Sequence, residues 1–177
     1  MNSELIACVS CGAGYPGQGT PYICPHCSGV YDWKGELPFR FAGPAQTTNT
    51  SIWRWQESFG FEGQVTPISL GEGFTPLIED CIDQLDIFYK MESMNPTGSY
   101  KDRATSVLIT FLQSRGVTSA VEDSSGNAGA SFAAYAARTG MHARVFVPES
   151  ASGPKRRQIE AYGTELVTIS GPRSAAA

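Results

Sequence analysis

No stretch of this sequence is apolar over the roughly 20 residues that a membrane-spanning helix needs. Its opening, "MNSELIACVS", lacks the basic start and the length of a secretory signal, so a cytoplasmic location is the default expectation. Positive charge is also in short supply. Lys and Arg number 13 against 17 Asp and Glu, a net charge of −4, and the basic residues cluster only in "KRR" at Lys155 to Arg157. That distribution excludes a protein that wraps nucleic acid or clings to an anionic membrane, and the cluster itself reads as a solvated helix face. Internal repeats and low-complexity tracts are missing too. What remains, 41% hydrophobic and 17% charged residues in a chain of 177, suits one folded domain with a small appendage.

Five cysteines in a chain without an export signal argue against a disulfide framework, which would also leave one of them over. Four of them form two CxxC knuckles, Cys8 with Cys11 and Cys24 with Cys27, separated by a Gly-rich spacer. Each knuckle turns two sulfurs to one side, and two knuckles supply the four thiolates that tetrahedral zinc prefers. Residues 8–33 are too few and too irregular to bury a core of their own, so closing such a site would provide their folding free energy. A full set of protein ligands makes the expected zinc structural and makes His26, inside the second knuckle, redundant. Cys81 stands alone and is expected to be a small buried hydrophobe.

The texture of the chain changes along its length. Residues 1–33 are expected to form a zinc ribbon. Residues 34–85, rich in Pro, Gly and aromatics ("ELPFRFAGPAQ", "SIWRWQESFGFEG"), read as an extended segment lying over a larger body, with "TPISLGEGFTPLIED" as strands joined by turns. From Asp86 to residue 177 strands and helices alternate. "DIFYKMES", "TSAVED", "HARVFVP" and "TELVTI" are strand-like, and helices are expected over Gly98 to Arg115, about Asn127 to Arg138, and "PKRRQIEAY", ended by Gly116, Gly140 and Gly163. The pattern predicts an α/β fold with right-handed crossovers and a parallel sheet, whose ligands gather at the carboxyl ends of the strands.

Three motifs lie where that sheet would place a site. In "NPTGSYKDR", Asn95 to Arg103, Lys101 falls near a helix start, where the dipole and unsatisfied N–H groups disfavour a charged amine. A neutral amine is what Schiff-base chemistry needs, although most lysines at helix starts simply point to solvent. Asp102 and Arg103 can anchor that turn. In "DSSGNAGAS", Asp123 to Ser131, the backbone and the side chains of Ser124, Ser125 and Asn127 can hold a carboxylate at a helix N-terminus. Ordinary N-capping by the same residues explains the motif equally well. "LGEGFTPL", Leu70 to Leu77, is by itself only a turn with glycines on both sides of Glu72.

Taken in this order after a cysteine-rich leader, "GEGFTPL", "NPTGSYKDR" and "SSGNAGAS" resemble the threonine synthase group of fold-type-II pyridoxal-phosphate enzymes, and "VFVPESASGPKRRQIEAYG" resembles that group's next strand and helix. Tyr100 stands where phenylalanine is usual, and Ala104 where glycine is common. The resemblance implies that Lys101 binds pyridoxal 5'-phosphate through its amine and acts as general acid and base. It implies that Asn127 bonds the cofactor's ring oxygen, and that Ser124, Ser125, Gly126 and Asn127 receive the carboxylate of an amino-acid substrate. The reaction implied is the conversion of O-phospho-L-homoserine and water to L-threonine and phosphate, in a protein that is a homodimer when full length. A serine or threonine dehydratase shares Lys101 and the asparagine loop, and a non-catalytic zinc-ribbon module is the alternative from another class. The family's phosphate loop and the group facing its pyridine nitrogen lie well beyond the asparagine loop, so the sequence is expected to be the first part of a longer catalytic domain, inactive alone.

Overall fold

The computed structural model describes residues 5–35, 39–40, 50–61, 63–151 and 153–176. Most of "ELPFRFAGPAQ" and the first four residues of the expected ribbon lie outside them. The mixed α/β architecture is that of the expected reading, built on a parallel sheet of three strands, β5 (Ser119–Glu122), β6 (His142–Pro148) and β7 (Glu165–Ile169), in the order β5-β6-β7. Helices α1 (Lys101–Ser114), α2 (Asn127–Thr139) and α3 (Pro154–Ala161) alternate with them. Each helix therefore returns the chain to the start of the next strand, which brings the helix N-termini to the sheet's carboxyl edge.

Helix α2 is the centre of the core. Its "NAGASFAAYAART" is rich in alanine, a strong helix former with little bulk, so α1, α3 and β6 all pack against it. Ala130, Ala133, Ala136 and Tyr135 are fully enclosed, and Ile109, Val145, Val147 and Ile159 close the cluster from α1, β6 and α3. The helix stops at Gly140, whose left-handed backbone (φ +70°) an L side chain would strain.

Three expectations need correction. The strand at "DIFYKMES" does not join the parallel sheet; β4 (Leu85–Lys90) pairs antiparallel with β3 (Leu77–Ile82) as a hairpin. Asp83 and Gln84 form its two-residue turn, both at positive φ, the conformation whose twist matches that of the flanking strands. The hairpin lies across the boundary expected at residue 85, so Leu77 onward is one unit with β4. Cys81, expected buried, is exposed, because every residue of β3 is solvent-accessible on this two-stranded ribbon. The helix expected from Gly98 begins at Lys101, since Gly98 takes a positive φ and Tyr100 is the cap.

Upstream, Ile52–Ser58 forms a 3-10 helix rather than extended chain, started by Ser51 Oγ accepting from the Trp53 N–H. Trp53 is buried, and its indole N–H donates to Ser106 Oγ of α1 at 2.7 Å. No helix among the described residues is long and apolar enough to cross a membrane.

Candidate active site

Lys101 opens α1, and its neighbours on both sides are held down. Asp102 is fully buried; its carboxylate accepts from the Thr97 N–H at 2.7 Å and from Thr97 Oγ1 at 2.6 Å. Arg103 makes a two-pronged bond to Glu92, Nε at 2.8 Å and Nη2 at 2.7 Å, and also donates to Thr75 Oγ1. The Asn95 side chain donates to Glu92 and accepts from the Gly73 N–H. This network bolts the "GEGFTPL" segment to the lysine turn. Lys101 itself is left partly exposed, with Nζ 4.9 Å from the centre of the Tyr100 ring, within the range of a cation–π contact.

The Arg103 guanidinium, supported by Thr75 and Asn95, outweighs burial and lowers the Glu92 carboxyl from 4.5 to about 2. A carboxyl depressed on folding stabilises the native state above its unfolded value and loses that contribution as pH falls through its folded one. Acid unfolding of the wild type should therefore steepen between about pH 4.5 and 2. In Glu92→Gln that component should be absent, as thermal melts across the range would record.

Glu72 forms a second buried network. Its carboxylate receives the Tyr135 hydroxyl at 2.7 Å, Ser106 Oγ at 2.8 Å, the Leu70 N–H at 3.0 Å and Ser69 Oγ at 3.1 Å. Burial and this carboxylate push the Tyr135 phenol upward, which keeps it a donor. Glu72 thus ties the glycine turn to both α1 and α2. The sequence had singled it out only as a residue between glycines; a charged side chain in so tight a turn was the available signal.

The asparagine loop leaves the carboxyl end of β5 and enters α2 with Gly126 as its cap, and no side chain caps the helix. The N-capping alternative therefore falls. Ser124 Oγ instead accepts from the Gly126 N–H at 3.3 Å. Asn127 is exposed, and among the described residues its side chain has no hydrogen-bond partner. Donors at the first turn of α2 are thus available to an anion. The loop folds so tightly onto the helix that a Cβ at Gly129 would lie 1.8 Å from the Ser124 carbonyl oxygen. Gly129→Ala should displace residues 124–127 and destabilise the fold by about 1–3 kcal/mol, a loss readable in a denaturant titration.

α1 leads into the start of β5 and α2 into the start of β6, so both helix N-termini lie toward the sheet's carboxyl edge. Burial and Asp123 raise the Glu122 carboxyl at the end of β5, while Arg173 and Lys101 act against that rise. Lys101 is thus an electrostatic neighbour of the strand that feeds the asparagine loop.

The four cysteines expected as ligands also come together. β1 (Ile6–Cys8) and β2 (Tyr31–Trp33) pair antiparallel, and the sulfurs of Cys8, Cys11, Cys24 and Cys27 all lie within 4.8 Å of one another. Cys8 to Cys27 spans 3.5 Å and Cys11 to Cys24 spans 3.7 Å. Tetrahedral zinc with sulfurs at about 2.3 Å needs edges of about 3.8 Å, so the cluster fits a metal of that size. Burial raises the Cys24 thiol, but the N–H groups of His26 and Cys27 and the Cys11 sulfur outweigh it and bring it to about 6. His26 is exposed and outside the cluster.

A partly exposed lysine amine and a helix start without a side-chain cap thus stand at the carboxyl edge of a parallel α/β sheet. The chain belongs to the family described as pyridoxal-phosphate dependent enzymes, which its residues 68–177 match. A threonine synthase from Methanocaldococcus jannaschii is 32% identical over 94% of this chain and 44% of its own length. One from a Bacillus species is 42% identical over 59% of this chain and 31% of its own. Among solved structures, a hydrogen sulfide-producing enzyme from Fusobacterium nucleatum superposes with a TM-score of 0.54 at 30% identity, over 58% of this chain and 36% of that one. The chain spans less than half the length of these relatives.

Proposed function

We propose that the protein carrying this chain is a pyridoxal-phosphate-dependent lyase of the threonine synthase type, which converts O-phospho-L-homoserine and water to L-threonine and phosphate. The observation that carries the reading is the partly exposed Lys101 amine at the same sheet edge as the uncapped α2 N-terminus; the choice of reaction is supported by a threonine synthase to which 94% of this chain is similar. When bound, pyridoxal phosphate supplies an electron sink for the substrate's carbons. Lys101 would hold the cofactor through Nζ, and the same amine would take up and return protons during the reaction. Asn127, exposed and without a side-chain partner among the described residues, would bond the cofactor's ring oxygen, and the N–H groups and hydroxyls of residues 124–127 would receive the substrate carboxylate. Asp102, Arg103 and Glu72 keep those groups in place.

We further infer that Cys8, Cys11, Cys24 and Cys27 hold a structural zinc, leaving no ligand position open for substrate. The full-length protein, supplied with pyridoxal phosphate and O-phospho-L-homoserine, should release phosphate and L-threonine in equal amounts. Phosphate without threonine, or turnover confined to the deamination of serine or threonine, would refute the assignment.

A further inference from the structure

The cluster "KRR" was expected to be a solvated helix face, and for Lys155 that is wrong. From the first turn of α3 its Nζ donates to the Thr97 carbonyl oxygen at 2.9 Å and to Gln158 Oε1 at 2.9 Å. Gln158 Nε2 donates to the same carbonyl at 3.2 Å and to the Tyr162 hydroxyl at 3.0 Å. Thr97, itself buried, gives its N–H and hydroxyl to Asp102. Its carbonyl is thus gripped from α3 and its donors from α1, four residues ahead of Lys101. Among the described residues Lys155 forms no salt bridge, so its charge is spent on two neutral oxygens, and a charged donor bonds a carbonyl about twice as strongly as a neutral one. Gly98, next in the chain, takes a left-handed backbone (φ +83°) that an L side chain would strain. The same helix reaches the other half of the site, where Ile159 would lie 3.1 Å from a Cβ at Gly129.

We propose that Lys155 and Gln158 are positioning residues for the reaction: from α3 they lock the Thr97–Gly98 turn and so fix where Lys101 enters the site. The proposal rests on the reading of Lys101 as the cofactor's lysine. Neither residue touches the reacting atoms; both act through the backbone of the turn. Misplacing a reacting group by about 1 Å costs on the order of 100-fold, which gives a purely positional contact its leverage.

The test uses the full-length protein with Lys155→Met, Lys155→Arg and Gln158→Ala. Hydride reduction of the wild-type holoenzyme followed by peptide mapping should put the phosphopyridoxyl mass on Lys101; a label elsewhere overturns both the reading and the proposal. In the cofactor-free protein, amide exchange across residues 97–103 should be about tenfold faster in Lys155→Met than in wild type. In the holoenzyme kcat should fall about 10- to 100-fold with KM within about twofold, and Lys155→Arg should restore most of both. With the label on Lys101, unchanged exchange and kcat in Lys155→Met overturn the positioning role and leave the function standing. If Lys155→Met does not fold, Gln158→Ala decides: a several-fold loss of kcat with normal KM supports the proposal, and wild-type kcat overturns it.

Discussion

Lys101→Ala in the full-length protein should erase the visible absorbance of the lysine-bound cofactor and reduce turnover at least about 1000-fold, while barely changing the melting temperature. The two halves of that expectation come from different contacts. Among the described residues the amine's one close contact is the Tyr100 ring, with Glu122 a more distant electrostatic neighbour, so the fold loses one cation–π contact of about 0.5–1 kcal/mol. The bonds that build the turn belong to Asp102, Arg103 and Thr97, and they survive. Activity is lost because no other described amine stands free at this edge. Lys155 is engaged by Thr97 and Gln158, and Lys90 by the Thr75 carbonyl. Absorbance spectra and melts of the same two samples are sufficient. A retained visible band would remove Lys101 from its assigned role, and a collapse of stability would mean that the amine is structural.

The parts of this fold legible in the sequence are those whose signal is local. "HARVFVP" alternates exposed and buried residues as a strand should, and α2 starts and stops where its motif and Gly140 indicated. The hairpin was missed because its turn is Asp83–Gln84, without the glycine or asparagine that usually marks positive φ. Cys81 looked apolar in its sequence setting, but sequence alone does not say which strands find a second layer to pack on. The site shows the same division. Lys101, the loop at residues 124–127 and the four cysteines were visible as motifs. So were Asp102 and Arg103 as anchors of the lysine turn; the distant supports were not, because Glu72 and Tyr135 are 63 residues apart, and Lys155 and Thr97 are 58 apart. Pairings of that reach are set by how helices dock, and no local periodicity encodes them.

Exchanging Cys24 and Cys27 together for serine should release the metal and unfold the leader. β1 and β2 are three residues each, a hairpin too short to persist in water without help. Much of what the leader buries is the four-cysteine cluster itself, with Cys8 and Cys24 among its most enclosed side chains beside Ile6 and Ala7. Structural zinc supplies apparent folding free energy of about 10–16 kcal/mol, far more than six strand residues contribute. Its loss should also be felt at the far end of the catalytic helix. Arg115, the C-terminal cap of α1, donates to the Pro16 and Gly17 carbonyls of the leader, and Tyr15 lies 6.2 Å from Phe111. Freed of those partners, the last turn of α1 should exchange its amides faster, while Lys101 at the first turn stays anchored by Asp102 and Arg103. Metal content should drop from about one equivalent per chain to near zero, with residues 5–33 open to protease and the visible cofactor band retained. Unchanged metal content would refute the ribbon, and loss of the cofactor band would show that the leader holds the active site as well as itself.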